Sequence, residues 1–327
     1  MRYRPLADGC DLSVSLVGLG TGGFGGEVDE ATAVALLDRA REAGVTLVDT
    51  ADAYKKGESE RIIGRYLTDR RCRSSVVLAT KAGSAQSVPA GVRGGSRAHL
   101  VAACEASLRR LQTDHIDLYQ LHRPDFDTPI DETLDALSRL KDAGKIRYAG
   151  SSTFPAWLLS AAYTSEFGRV LVTEQAPYNF LDRQAETDVA PTLERFGRGM
   201  VSWSSLAGGI LSGQYSPESV PPGSRLARKG RDSRFGRRVT AEAVSVAHRL
   251  GPLARSAGLT TAQLALCWLL GRPAMRSALV GPRTITQLDE LLRSADRVLP
   301  DVIRTRMDAL NPSGSAAADF HNATNWP

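Results

Sequence analysis

Short runs of apolar, often β-branched residues alternate along the chain with longer stretches in which apolar positions recur every three or four residues. This is the pattern of a parallel sheet wrapped by helices. The strand-like runs are Leu16–Leu19, Thr46–Asp49, Val76–Thr80, Ile116–Leu121, Ile146–Gly150, Val170–Thr173, Met200–Trp203 and Ala278–Val280. Helical periodicity predicts Glu30–Ala43, Ser59–Thr68, Ala98–Leu111, Ile130–Ala143, Ala156–Ser165, Asp188–Phe196, Ala241–Ser256 and Ile285–Ser294, with a further helix at Thr261–Leu270. Gly44 and Gly144 stand where a helix C-terminus calls for a left-handed residue, and Asp29 and Thr128 stand where an N-cap is wanted.

Eight strand and helix pairs, with no internal linker rich in Pro, Gly or Ser, predict an α/β fold: a closed (β/α)8 TIM barrel forming a single domain over residues 1–327. Residues 1–15 are expected to form a β-hairpin outside the repeat. The connection from Ala207 to Thr240 is longer than a barrel needs and follows the seventh strand, which puts this long loop at the rim where barrel active sites form.

The composition fits a folded globular chain: 327 residues, 42% hydrophobic and 24% charged. The net charge of +5 and a pI near 9.1 first suggest an acidic partner. Charge distribution alters that picture. Gly223 to Arg238 holds Arg225, Arg228, Lys229, Arg231, Arg234, Arg237 and Arg238 against Asp232 alone, so the rest of the chain is close to neutral. This segment reads as a solvated loop, a flap over cofactor phosphates, or a contact for a phosphate-bearing substrate. With Phe235 as its single aromatic it offers no stacking platform, so nucleic acid is not an expected partner. Cys10, Cys72, Cys104 and Cys267 are widely spaced without metal-ligand patterns, so neither disulfides nor a metal site is expected and a cytoplasmic location fits best. No run is long and apolar enough for a membrane span, and the N-terminus has no apolar core of a targeting segment. Oligomeric state is not legible.

Side chains at the C-terminal ends of barrel strands converge on one pocket. The second strand ends in Asp49 with Tyr54 just beyond, the third in Lys81 and the fourth in His122. An ammonium beside a phenol stabilises the phenolate, so Tyr54 next to Lys81 could donate and accept a proton. Asp49 would pair with Lys81, and a neutral His122 could orient a substrate oxygen. Taken one at a time, Asp49 and Lys81 could be a structural ion pair, His122 a core histidine and Trp203 a core aromatic. No nucleophile is evident, so something else must attack carbon, and a nicotinamide hydride fits that gap.

Five segments, GVTLVDTADAYKKGESERIIGRYL (Gly44–Leu67), ATKAG (Ala79–Gly83), HIDLYQLHRPD (His115–Asp125), GKIRYAGSST (Gly144–Thr153) and QAPYNFLDR (Gln175–Arg183), closely resemble the aldo-keto reductase superfamily, in order across nearly the whole chain. The resemblance implies a catalytic tetrad of Asp49, Tyr54, Lys81 and His122, with Tyr54 as general acid. It implies reduction of a small aldehyde or ketone by NADPH held without a Rossmann domain. Ser152, Thr153 and Gln175 would meet the carboxamide and Trp203 would stack on the nicotinamide. Ser204 to Gly209, including Leu206 and Gly208, would approach the pyrophosphate. VGPRTITQLDE (Val280–Glu290) is similar to the family's adenosine-phosphate loop, with Gly281 in the turn, Arg283 on the 2′-phosphate, and Gln287 and Glu290 facing adenine. A guanidinium next to a helix start suits a phosphate better than a ribose diol, so NADPH is preferred to NADH.

The chain departs from the family's usual Gly, Asn, Pro and Asn at Lys55, Thr153, Ser205 and Leu291. Gly20 to Gly25, GTGGFG, literally fits G-x-G-x-x-G, with Asp49 near the spacing of a ribose ligand, which is the Rossmann alternative. In a barrel, Gly20, Thr21 and Gly22 would instead make a tight turn letting backbone approach the cofactor, with Phe24 as a pocket wall. The polar tail from Asn311 to Pro327, with Phe320 and Trp326, is similar in position to tails that line the substrate mouth in relatives. An oxidative dehydrogenase and a cofactor-sensing regulatory subunit are the competing functions.

Overall fold

The structure is a computed structural model that describes residues 1–216 and 219–321. An antiparallel hairpin comes first, β1 (Tyr3–Pro5) and β2 (Ser13–Ser15). Eight parallel strands follow: β3 (Val17–Gly20), β4 (Leu47–Asp49), β5 (Val77–Ala82), β6 (Ile116–Leu121), β7 (Ile146–Ser152), β8 (Leu171–Pro177), β9 (Gly199–Trp203) and β10 (Met275–Val280). They close in the order β3 to β10, with β10 pairing back onto β3. This is the expected (β/α)8 barrel with its N-terminal hairpin. The glycine run after β3 does not open a helix; α1 (Glu30–Glu42) begins five residues beyond Gly25, capped by Asp29 on Thr32 N.

The period-2 alternation of strands decides what fills the cylinder. Leu47 precedes Asp49 on β4, Val77 and Ala79 precede Lys81 on β5, and Leu118 precedes Gln120 on β6. The lower members of these series cluster with Val172, Val201 and Leu279 and with Leu6, Ala7, Leu12 and Val14 of the hairpin segment. Thus the hairpin plugs the N-terminal mouth with apolar side chains, while the polar members of the same rows emerge at the C-terminal mouth. Outward residues such as Leu78, Tyr119 and Leu121 join the larger core beneath the helices. Among the described residues no helix is long and apolar enough to cross a membrane.

The remaining helices are α2 (Glu58–Arg70), α3 (Arg97–Leu111), α4 (Ile130–Asp142), α5 (Ala156–Thr164), α6 (Val189–Arg195), α7 (Arg225–Lys229), α8 (Ala241–Ser256), α9 (Thr261–Leu270), α10 (Ile285–Leu292) and α11 (Asp301–Leu310). Gly44 and Gly144 have φ of 82° and 70°, as the C-terminal positions require. Thr128 does not cap α4. Its hydroxyl donates to Asp125 Oδ2 at 2.7 Å, and Pro129, which presets an extended entry, takes the cap position instead. β5, β7 and β8 run at least two residues further at their C-terminal ends than apolar content predicts, β8 most of all, because Glu174 and Gln175 continue the ladder as polar residues.

The long connection after β9 is packed onto the rim. It contains a 3-10 turn over Ala207–Ser212, the short α7, and a second 3-10 turn at Gly236–Arg238. Leu226 and Phe235 are buried. The Arg225 guanidinium lies 5.0 Å from the Phe235 ring centroid, and Arg228 and Lys229 reach Glu27 in the loop after β3. The chain after α11 returns across the mouth, held by Asp182, which accepts from Phe320 N at 2.6 Å.

Helix α2 carries the loop with Tyr54 and lies close on α3. A Cβ at Gly64 would stand 2.4 Å from the Arg110 carbonyl oxygen and 2.8 Å from the Leu111 carbonyl carbon. Gly64→Ala is therefore expected to cost about 1–3 kcal/mol, seen as a lower urea midpoint at unchanged slope; an unchanged midpoint would show that the helices separate freely.

Candidate active site

Asp49 and Lys81 are 2% and 1% exposed, so both charges need complete local compensation. They have it. Lys81 Nζ donates to Asp49 Oδ2 at 2.6 Å, to Thr50 O at 2.8 Å and to Tyr54 Oη at 3.4 Å, using all three ammonium donors. Asp49 Oδ1 accepts from Gln175 Nε2 at 2.8 Å and from Gln120 Nε2 at 3.2 Å. Gln175 Nε2 also lies 3.2 Å from Gln120 Oε1, which ties β6 to β8 through the barrel axis. Burial opposes the charge on Lys81, but Asp49 and Tyr54 outweigh it and hold the ammonium above the ordinary lysine range.

One consequence concerns the direction of a proton. Because a lysine ammonium can only donate, Tyr54 Oη accepts from Lys81, and the phenol's own hydrogen is left to point towards the mouth. The His122 ring stands edge-on to Tyr54, centroids 5.7 Å apart at 86°. Burial, then the charges of Lys81 and Arg123, push the His122 imidazole well below its usual range, so it is neutral near pH 7. The backbone N of His122 donates to Ala82 O at 2.7 Å, whereas the buried Nδ1 has no partner among the described residues.

Gly20 closes β3 opposite Asp49 in register. Thr21 is turned inward, its hydroxyl bonded to Asp49 O at 2.9 Å and to Ser59 Oγ at 2.8 Å, so it braces α2 against β4. A Cβ on Gly22 would touch the Tyr54 ring at 3.7 Å, and one on Gly281 would lie 3.8 Å from Gly20 O, so bare backbone borders the pocket at both places. Phe24 is buried in the core. The Ser152 hydroxyl donates to Gln175 O at 3.0 Å, and Thr153 takes a left-handed φ of 62°, a conformation easier for Asn than for a β-branched residue. Glu174 underpins this turn: it is fully buried, accepts from Ser151 Oγ at 2.5 Å and Phe154 N at 3.1 Å, and burial pushes its carboxyl up to about 7.

After β9 the backbone runs left-handed at Ser204, Ala207, Gly208 and Gly209, with the amides of Ala207 and Gly209 donating to Ser204 O at 2.7 Å and Leu206 O at 2.9 Å. Leu206 is half-buried within it. A Cβ on Gly208 would stand 2.2 Å from the Phe235 ring, so the basic segment seats directly on this loop. Ser205, where the family has proline, donates to Leu279 O at 2.8 Å and so anchors the loop to β10. Trp203 is half-buried, its Nε1 without a partner among the described residues, and Phe320 meets its ring edge-on at 6.2 Å. Trp326 lies outside the described residues.

At the β10 end, Arg283 Nη1 donates to Gly223 O at 2.7 Å. Gln287 Oε1 accepts from Arg283 N at 2.9 Å, and Glu290 Oε1 accepts from Thr260 Oγ1 at 2.7 Å, so both side chains also serve the helix starts of α10 and α9. Leu291 is core. These residues fit a dinucleotide: the Arg283 guanidinium at the start of α10 suits a phosphate, and the buried Trp203 Nε1 and His122 Nδ1 are polar atoms without a partner among the described residues.

Four residues carry the site without having been singled out in the sequence: Thr50, Gln120, Glu174 and Arg123. Gln120 was within reach, since it precedes His122 by two on one strand and so shares its inward face.

The neutral state of His122 sets a pH dependence. Above pH 6.5 neither folded nor unfolded chain carries the proton; below it the unfolded chain takes one that the folded chain refuses, so stability falls with falling pH. Between pH 6.5 and 5.5 the wild type should lose about 1 kcal/mol more than His122→Gln, read from denaturant midpoints; parallel losses would mean a protonated His122.

A model of the aldo/keto reductase family matches residues 16–312. The "Uncharacterized oxidoreductase YrpG" of Bacillus subtilis is 36% identical over 313 residues, 92% of this chain and 93% of that protein. The "Aldo-keto reductase YhdN" of the same organism is 37% identical over 298 residues, 89% of this chain and 88% of that protein. A protein of Oryza sativa subsp. japonica named "Probable voltage-gated potassium channel subunit beta" is 33% identical over 282 residues, 85% of each chain. A match of that length, on a barrel whose strand ends bring Asp49, Tyr54, Lys81 and His122 together, means that the chain belongs to the aldo/keto reductase family.

Proposed function

We propose that the protein reduces the carbonyl of a small aldehyde or ketone to the alcohol with NADPH as hydride source. The observation that carries this reading is the outward phenol of Tyr54, held by a lysine whose other two donors are taken by Asp49 and Thr50. When bound, the reduced nicotinamide supplies a hydride to the carbonyl carbon. Neutral His122 donates a hydrogen bond to the carbonyl oxygen and aims it at Tyr54. Tyr54 Oη gives its proton to that oxygen as negative charge develops, and the Lys81 ammonium stabilises the phenolate left behind. Asp49 positions Lys81 and keeps it charged. Run backwards, the same groups oxidise an alcohol, and initial rates in both directions distinguish the two uses.

On this reading the pyrophosphate lies against Ser204–Gly209, where the left-handed φ of Ser204, Ala207, Gly208 and Gly209 supports a tight approach of backbone, and Ser152, Thr153 and Gln175 meet the carboxamide. Arg283, at the start of α10, favours a 2′-phosphate and hence NADPH over NADH. The Oryza sativa relative, named as a channel subunit, favours one second reading, a regulatory subunit that senses the cofactor without turnover.

NADPH oxidation against a panel of aldehydes and ketones, repeated with NADH, tests the proposal. Tyr54→Phe should lower turnover by about 100-fold to 10,000-fold with NADPH binding nearly intact. Full turnover by the variant would remove Tyr54 from its role, and NADPH binding without oxidation of any panel member by the wild type would favour the sensing subunit.

A further inference from the structure

Arg123 follows His122 at the end of β6 and is half-buried in the mouth of the barrel. Its Nη1 reaches neutral oxygens, His122 O at 3.0 Å and Thr153 Oγ1 at 2.8 Å. Its guanidinium lies over the Trp203 ring, Cζ 5.7 Å from the centroid. Among the described residues no carboxylate pairs with it. Glu174, an acid near enough to act on its charge, is already engaged by Ser151 and Phe154. Two other withdrawn arginines have acidic partners, Arg110 with Glu60 and Arg183 with Glu186 and Asp308, whereas half-buried Arg4 meets a carbonyl, Met275 O.

An arginine cannot shed its charge, so a withdrawn guanidinium without a counter-ion is costly unless a ligand brings one. The surroundings add positive potential. Arg234 lies close enough to lower the Arg123 pKa further after burial has done so, and Arg238 stacks 4.3 Å over Phe320, which itself meets Trp203. The candidate phosphate loops follow β9 and β10, whereas β6 stands across the barrel from β10. Arg123 enters from the end of β6 beside His122, close enough to Tyr54 to interact with it electrostatically, and its guanidinium lies between this pair and the Trp203 ring.

We propose that Arg123 binds an anionic group of the substrate, so that the preferred substrates are carbonyl compounds bearing a carboxylate or phosphate within a short chain of the carbonyl. The inference rests on the reading of Tyr54 and His122 as the groups that hold the carbonyl oxygen. Trp203 offers an apolar wall between the two ends, and the planar guanidinium fork matches either oxyanion in bidentate fashion.

The test uses substrates matched except for charge: 4-oxobutanoate against butanal, 4-carboxybenzaldehyde against 4-methylbenzaldehyde, and glyceraldehyde 3-phosphate against glyceraldehyde. With saturating NADPH, the anionic member of at least one pair should show kcat/KM about 30-fold or more above its neutral twin, and the pair that responds identifies carboxylate or phosphate. Arg123→Met should bring that ratio close to one, chiefly through KM, and Arg123→Lys should restore part of it. The ratio cancels general damage, since both twins meet the same variant. A wild-type ratio near one in every pair, a ratio unchanged by Arg123→Met, or a loss falling on NADPH binding alone would overturn the proposal. If no aldehyde is reduced, the carbonyl reading fails on its own. Titration of benzoate and of inorganic phosphate against tryptophan fluorescence then decides for Arg123: saturable binding lost in Arg123→Met supports it, and no binding to the wild type sinks it.

Discussion

The active-site mouth is organised around a buried ion pair. Withdrawing a carboxylate and an ammonium from water costs several kcal/mol for each ion, and mutual attraction offsets this only when every remaining donor and acceptor is also satisfied. Asp49 and Lys81 meet that condition through residues from β6 and β8, the Thr50 backbone and the Tyr54 phenol. The last of these contacts gives the pair its chemical meaning. Completing the lysine's coordination requires the phenol oxygen as an acceptor, and this orients a proton donor outward. The same hydrogen bonds therefore account for stability and for the proposed proton transfer.

The barrel makes such a pair tolerable by dividing its interior into layers. Low in the cylinder, alternate positions carry Leu47, Val77, Leu118 and Val201 against the hairpin plug. Two residues further along, or four from Val77, the same inward rows carry Asp49, Lys81, Gln120 and Trp203. An apolar base thus holds the polar layer in register, and the charges meet only each other and their intended partners. Around the rim, Glu27 gathers Lys55, Arg228 and Lys229, so the basic segment is attached to the loop after β3. Lys55 keeps a left-handed φ of 50° there, where the family's usual glycine would be unstrained.

The convergence of Asp49, Tyr54, Lys81 and His122 was legible because each sits at, or just after, the end of an apolar run, and strand ends converge in a barrel. The segments shared with the family then assigned their roles. Contacts that depend on register between strands were not legible: nothing local to Gln120 or Gln175 says that both amides reach one oxygen of Asp49. The charge count located the basic segment but not its packing, which depends on Phe235 meeting a glycine distant in sequence, Gly208. Helix α11 escaped notice because only Ile303 and Met307 are buried along it, too few to stand out as periodicity. Thr128 looked like a cap by residue type, yet Asp125 three residues earlier competes for its hydroxyl.

The dependence of proton transfer on the buried ammonium is tested most directly by single-turnover kinetics, with NADPH and 4-nitrobenzaldehyde mixed against the wild type and Lys81→Met while nicotinamide absorbance is followed. The account predicts that Lys81→Met still quenches its tryptophan fluorescence on binding NADPH but transfers hydride about 100-fold more slowly or worse, as expected when a phenol loses the charge that stabilises its phenolate. Hydride transfer at the wild-type rate in that variant would contradict it.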